Sequence, residues 1–213
     1  FVFQRTPLMT TLPTVSPERL PELLRAIPKA ELHMHIEGSL EPELMFQLAR
    51  RNGLALRYPS VEALRGAYVF DNLQSFLDIY HEGTLVLKTE QDFYDMTHAY
   101  LARAAADNVV HTEIFFDTQT HTGHGLPAEM VIKGLHRACV DAQAEFGISA
   151  SLIMCFLRHL SEADAPAREL DGARALREDQ QVEPAVEGLL VQPHELVHHR
   201  RVGGVHGLGV GLV

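Results

Sequence analysis

Leu20, Leu23, Leu24 and Ile27 recur at steps of three and four behind Ser16-Pro17, a cap residue followed by a first-turn proline, which predicts a short entry helix closed by Pro28. Over residues 30–36 the period drops to two. Ala30, Leu32, Met34 and Ile36 alternate with Glu31, His33 and His35, the pattern of a strand with one apolar and one polar face. Glu37-Gly38 turns the chain into a helix over 42–52, with Leu44, Met45 and Leu48 on one side and Gly53 as its stop. Helical spacing returns over 72–87 and 90–106. Residues 109–116 are β-branched and aromatic and read as a second strand. Pro127 opens a helix to Phe146, Gly147 ends it, and the apolar run 148–157 reads as a third strand covered on both faces. Strands alternating with helices predict an α/β fold with a parallel sheet.

Composition narrows the function classes. With 213 residues and 46% hydrophobic content the chain can bury a core. A net charge of −10, with Lys and Arg scattered singly, gives no footprint for nucleic acid. No apolar run approaches the roughly 20 residues of a membrane span, and the N-terminus has no signal-peptide layout. The two cysteines, Cys139 and Cys155, have no metal-ligand spacing and fit a reducing compartment. The expectation is a cytoplasmic protein without nucleic-acid or membrane partners.

The chain changes alphabet near its end. Residues 162–213 use ten residue types only, Ala, Asp, Glu, Gly, His, Leu, Pro, Gln, Arg and Val. Those are the amino acids whose codons begin with G or C, a set with a genetic rather than a physical unity. A reading-frame slip in a GC-rich gene generates it; ordinary low complexity is the other reading, although such segments usually show a repeat or a charge bias. The expected organisation is therefore a non-native leader over 1–8 before Met9, an α/β segment over 9–165, and a frame-shifted tail over 166–213, with the boundary at about 162–166.

The candidate chemistry begins with His33-Met34-His35. Strand period sends both imidazoles to one face, where two neutral nitrogens can share a cation, with Met34 and Ile36 turned to the helical layer. A solvated strand face carrying two polar residues is the plainer reading. Its place just before a Gly turn favours the metal, because α/β barrels build active sites at the carboxyl ends of their strands. His194-Glu195-Leu196-Val197-His198 in the tail matches a zinc-protease pattern. Pro193 before it and Gly203-Gly204 after it leave little room for a helix, and the extended protease spacing is absent. His111, Glu113, His121 and His124 are polar site groups or solvated residues; His81 and His98 sit in helical patterns; Arg158-His159 and Phe115-Phe116-Asp117 end strands on the expected active face.

The run from Lys29 to Pro42, KAELHMHIEGSLEP, resembles the opening of the adenine-acting branch of the adenosine/adenine deaminase family, within the amidohydrolase superfamily. The likeness continues through Asp71-Asn72-Leu73-Gln74-Ser75-Phe76-Leu77, Thr89-Glu90-Gln91-Asp92-Phe93-Tyr94-Asp95, Phe115-Phe116-Asp117, Gln119-Thr120-His121-Thr122 and Phe156-Leu157-Arg158-His159-Leu160-Ser161, and covers residues 27–165. Glu37, where the adenosine-acting branch usually carries Asp, and the Phe-Phe-Asp run point to the adenine-acting branch. The resemblance implies the N-terminal portion of a (β/α)8 barrel, truncated and joined to an unrelated tail. It also implies zinc-dependent hydrolytic deamination of adenine to hypoxanthine and ammonia in purine salvage, with metal-activated water attacking C6. His33 and His35 would be metal ligands, Glu37, Phe116 and Asp117 would bind the purine, and the helix with Phe76 and Leu77 would form an apolar gate.

No catalytic acid is expected here. The family's His-Ala-Gly-Glu segment, a later His and an Asp-Asp pair do not occur in these 213 residues. They are accordingly expected to be inactive by themselves. A non-catalytic remnant or pseudogene product is the alternative, with an adenosine deaminase or a metalloprotease behind it. An open sheet edge would favour self-association.

Overall fold

The computed structural model describes residues 15–155, 157, 190 and 191. A 3-10 turn at Pro17–Arg19 leads into α1 (Leu20–Ala26), then β1 (Lys29–His35), a second 3-10 turn (Ile36–Ser39), α2 (Pro42–Arg51), α3 (Val61–Ala67), α4 (Leu73–Leu85) and α5 (Glu90–Ala106). β2 (Val109–Phe116), α6 (Thr118–Thr122), α7 (Ala128–Phe146), β3 (Ser149–Met154) and β4 (Leu190–Val191) complete the order. All pairings are parallel, in the order β1-β2-β3-β4, so the expected α/β repeat is the observed one. The leader, Phe156, Arg158-His159 and the tail motif at 194–198 lie outside the described residues.

Capping explains where the helices start. Asn72 Oδ1 accepts from the Ser75 N–H at 3.0 Å, and Thr89 with Asp92 forms a reciprocal box, the Thr89 N–H donating to Asp92 Oδ2 at 2.7 Å. Gly147, at φ +74, ends α7 in the left-handed conformation that suits glycine. Two helices have no counterpart in the sequence expectation. α3, capped by Ser60, and α6 have seven and five residues, too few for a helical period to show. The third strand is shorter than the apolar run 148–157, ending at Met154.

α5 and α7 pack closely. An added Cβ at Gly134 would meet Glu90 O at 2.5 Å and Phe93 Cβ at 2.7 Å, so the two helix backbones meet at this glycine. Asp92 ties α5 to the end of α2: its carboxylate accepts from Arg51, from Asn52 Nδ2 at 2.9 Å, and from the Lys88 N–H at 2.9 Å. The core between helices and sheet holds Ile36, Leu48, Phe93, Leu101, Ile114 and Leu135, all essentially inaccessible.

One expectation about β1 fails, and the reason is local. Glu31 pairs with Thr112 but Met34 pairs with Ile114, so β1 carries one residue more than β2 across this stretch. That is a bulge, and it breaks simple alternation. Glu31 reaches the helical side, where Tyr100 OH donates to Glu31 Oε2 at 2.5 Å, while Leu32, expected on the apolar face, is 56% exposed. Beyond the bulge His35 pairs with Phe115, and the chain enters its turn with Ile36 buried.

Candidate metal centre

The carboxyl ends of β1 and β2 bring the sequence candidates together. His33 and His35 lie side by side with ring centroids 5.6 Å apart. Both rest on Phe115, at 4.4 and 5.5 Å, one bulky ring holding two smaller ones. A ring centroid sits roughly 3 Å from an ion bound at about 2.1 Å, so two rings sharing one tetrahedral cation stand about 5 Å apart. The observed 5.6 Å is close to that spacing. Imidazole nitrogen donors of this kind suit zinc, copper, iron or nickel.

Phe116, expected at the purine, is placed elsewhere. On β2, Thr112, Ile114 and Phe116 are buried against the helical layer, and Phe116 belongs to the core. Strand alternation sends Phe115 to the opposite face, so Phe115 is the aromatic residue beside the histidines. The sequence contained both residues, but without the register it could not assign the faces.

Glu37 is only 3% exposed and its oxygens are occupied by the protein. The Asp117 N–H donates to Glu37 Oε1 at 2.9 Å, Tyr80 OH donates to Oε2 at 3.2 Å, and His121 Nε2 stands 3.4 Å from Oε1. His121 is itself 1% exposed and meets the Phe93 ring edge-on at 4.7 Å. Tyr80 OH lies equally close, 3.2 Å, to Asp117 Oδ2, and burial beside the two carboxylates pushes its ionisation far up. Asp117 in turn faces His35, with Oδ2 3.7 Å from Nδ1. The facing Asp117 carboxylate raises the His35 pKa, against partial burial, which lowers it.

Cys155 follows β3 and donates its N–H to Phe116 O at 2.9 Å. Burial, with Asp117 and Glu37 nearby, pushes its thiol up to about 11. His35, Asp117 and Cys155 offer donor atoms within 4.8 Å of one another, a grouping that sequence spacing could not reveal. Tyr80 is the other residue the sequence did not join to the site; His121, a polar site group or a solvated residue in the sequence reading, is buried beside Glu37.

The remaining candidates lie apart. His111 Nδ1 is 2.8 Å from Ser149 Oγ, and His98 pairs with Glu145 at 3.1 Å. His81 and His124 line a cavity of about 1050 Å³ on another flank of α4, with Leu54, Arg57 and Lys88. Phe76 on α4 stands between Phe70 and Tyr80, at 5.2 and 6.0 Å. No helix among the described residues is long and apolar enough to cross a membrane.

Comparison with known proteins agrees with this architecture. The chain is 77% identical over 155 residues to an adenine deaminase of Albidiferax ferrireducens, a match covering 73% of this chain and 45% of that protein. An adenine deaminase of Trichlorobacter lovleyi is 65% identical over 154 residues, 72% of this chain and 44% of that one. Among solved structures, the adenine deaminase of Arthrobacter aurescens superposes with a TM-score of 0.67 at 51% identity, covering 71% of this chain and 46% of the other. A Burkholderia ambifaria amidohydrolase with bound Zn superposes at 0.64 with 26% identity, over 79% of this chain and 46% of its own. The chain thus spans under half the length of these relatives, and its α/β sheet corresponds to part of a (β/α)8 barrel. The adenosine deaminase family model matches residues 28–193, running past the change of alphabet at Glu162 and including β4. The chain belongs to the adenosine deaminase family.

Proposed function

We propose that the whole protein is a zinc-dependent adenine deaminase that hydrolyses adenine to hypoxanthine and ammonia in cytoplasmic purine salvage, and that these 213 residues contribute half of its metal site. The observation that carries the reading is the His33–His35 pair, two imidazoles on one aromatic support at the carboxyl end of the sheet. The relatives named adenine deaminase support the choice of substrate. When bound, a zinc ion would supply Lewis-acid activation of water. His33 and His35 would hold that ion as neutral imidazoles, and Phe115 would fix their planes. Asp117 and the Glu37 node would shape the floor of the purine pocket, and Phe76 would help keep water out of it.

The 213 residues alone are proposed to be inactive. They lack the family's His-Ala-Gly-Glu and Asp-Asp segments, and loss of a general acid alone typically costs about 10² to 10⁴ in rate. The tail from 162–166 onward is proposed to arise from a reading-frame slip, and the open edge of the sheet to promote self-association.

Reading the encoding DNA in the other frames beyond Ser161, then expressing the longer product, tests the assignment. The longer product is expected to release ammonia from adenine, and the 213-residue chain is expected to release none. A longer product acting on adenosine but not adenine would overturn the substrate. Adenine turnover by the purified 213 residues would overturn their inactivity, and a corrected frame without a barrel-like continuation would overturn the frame slip.

A further inference from the structure

Glu37 and Asp117 were expected to meet the purine, yet their surroundings differ. Glu37 is buried with a partner on each oxygen: the Asp117 N–H and His121 on Oε1, Tyr80 OH on Oε2. A carboxylate so occupied has little left to offer a ligand. It can hold what holds it. Through its N–H, Asp117 is fixed at the backbone; through Tyr80 OH, which stands 3.2 Å from Asp117 Oδ2, it is fixed at the side chain. The same Oδ2 faces His35 Nδ1 at 3.7 Å.

We propose that Asp117 is the positioning carboxylate of His35, and that Tyr80 and Glu37 exist at this site to aim it. This rests on the reading of His33 and His35 as metal ligands. A metal-binding histidine commonly donates its second ring N–H to a carboxylate, which selects the tautomer and orients the ring. Here the carboxylate stands at Nδ1, so the proton resides on Nδ1 and Nε2 is left to meet the cation. The 3.7 Å separation is longer than a hydrogen bond; a small rotation of either side chain closes it, as polar contacts in ligand-free sites tighten on binding. Phe115 limits the other motion, since His35 lies against its ring at 5.5 Å. His33 has no such carboxylate among its described partners, so the two ligands differ in how they are held. Tyr80 has one hydroxyl proton for two carboxylates, which couples the position of α4 to that of Asp117.

The test compares the 213-residue chain with its Asp117→Asn, Tyr80→Phe and His33→Ala/His35→Ala variants. Zinc and cobalt affinities are measured by competition with a chromophoric chelator, and the His35 tautomer is read by ¹⁵N NMR of the metal-free chain at a pH where the ring is neutral. Asp117→Asn is expected to weaken metal binding about 10- to 100-fold and to shift His35 away from the Nδ1–H tautomer, leaving His33 unchanged and the visible cobalt spectrum with its original coordination number. Tyr80→Phe is expected to shift both readouts in the same direction by less. An unchanged tautomer in Asp117→Asn would overturn the proposal, whether or not the chain binds metal. A cobalt spectrum showing that Asp117 is lost as a direct ligand, alone or together with Cys155, would overturn it too. Wild-type metal affinity in the His33→Ala/His35→Ala double variant would instead overturn the underlying reading of the histidine pair.

Discussion

On one face of β2, Thr112, Ile114 and Phe116 are sealed against the helical layer; on the other, Glu113 and Phe115 are half covered, and Phe115 carries the rings of His33 and His35. Neighbouring phenylalanines in one strand thus have different tasks. The outer one fills volume in a packed core, where shape decides the energy. The inner one holds two donor groups in register, where orientation decides the chemistry. Mutations on the two faces should therefore separate into losses of stability and losses of imidazole orientation.

Phe116→Ala is expected to have the largest effect, a loss of about 3–5 kcal/mol of stability measured by urea unfolding. A loss no greater than that of Phe115→Ala would break the comparison. Asp92→Asn comes next, at about 2–3 kcal/mol, because it removes charged acceptors from Arg51, Asn52 and the Lys88 N–H at the joint of α2 and α5. Burial pushes the Asp92 carboxyl up, but Arg51, the Lys88 N–H, Asn52 and Thr89 together outweigh it and hold the pKa below the ordinary value. A depressed folded pKa gives stability that is full above the unfolded value and lost as the pH falls through the folded one. The gap between wild type and Asp92→Asn should therefore close on acidification; a gap that widens would contradict this sign. Phe115→Ala is expected to cost least, about 1–2 kcal/mol, yet to free both imidazole rings, seen as loss of the ring-current shifts that Phe115 imposes on the His33 and His35 resonances.

The repeat of strands and helices was legible because its periods are local. Helices α2, α4, α5 and α7 and the second strand lie where residue spacing and composition put them, with Gly53, Pro127 and Gly147 marking ends of α2 and α7, since these signals act within a few residues. α3 and α6 were too short to show a period. The apolar run 148–157 overstates the third strand, because apolar composition by itself does not mark where pairing stops. His33 and His35 stood out because both belong to one short segment. Tyr80 did not, and His121 could not be told from a solvated residue, for they meet Glu37 across 43 and 84 residues of chain.

Sequence alone determined the α/β class, the histidine pair, the family resemblance and the change of alphabet at Glu162. Each is written in residues close together, or in the identity of residues irrespective of their contacts. Tertiary structure decided which side chains share a face. The bulge in β1 turned Glu31 to Tyr100 and exposed Leu32, and strand register set Phe115 rather than Phe116 beneath the histidines. Packing of α4 against the strand ends enclosed Glu37 and carried Tyr80 to Asp117. A one-residue offset between paired strands exchanges the faces on one side of it relative to the other, and that offset belongs to two segments at once.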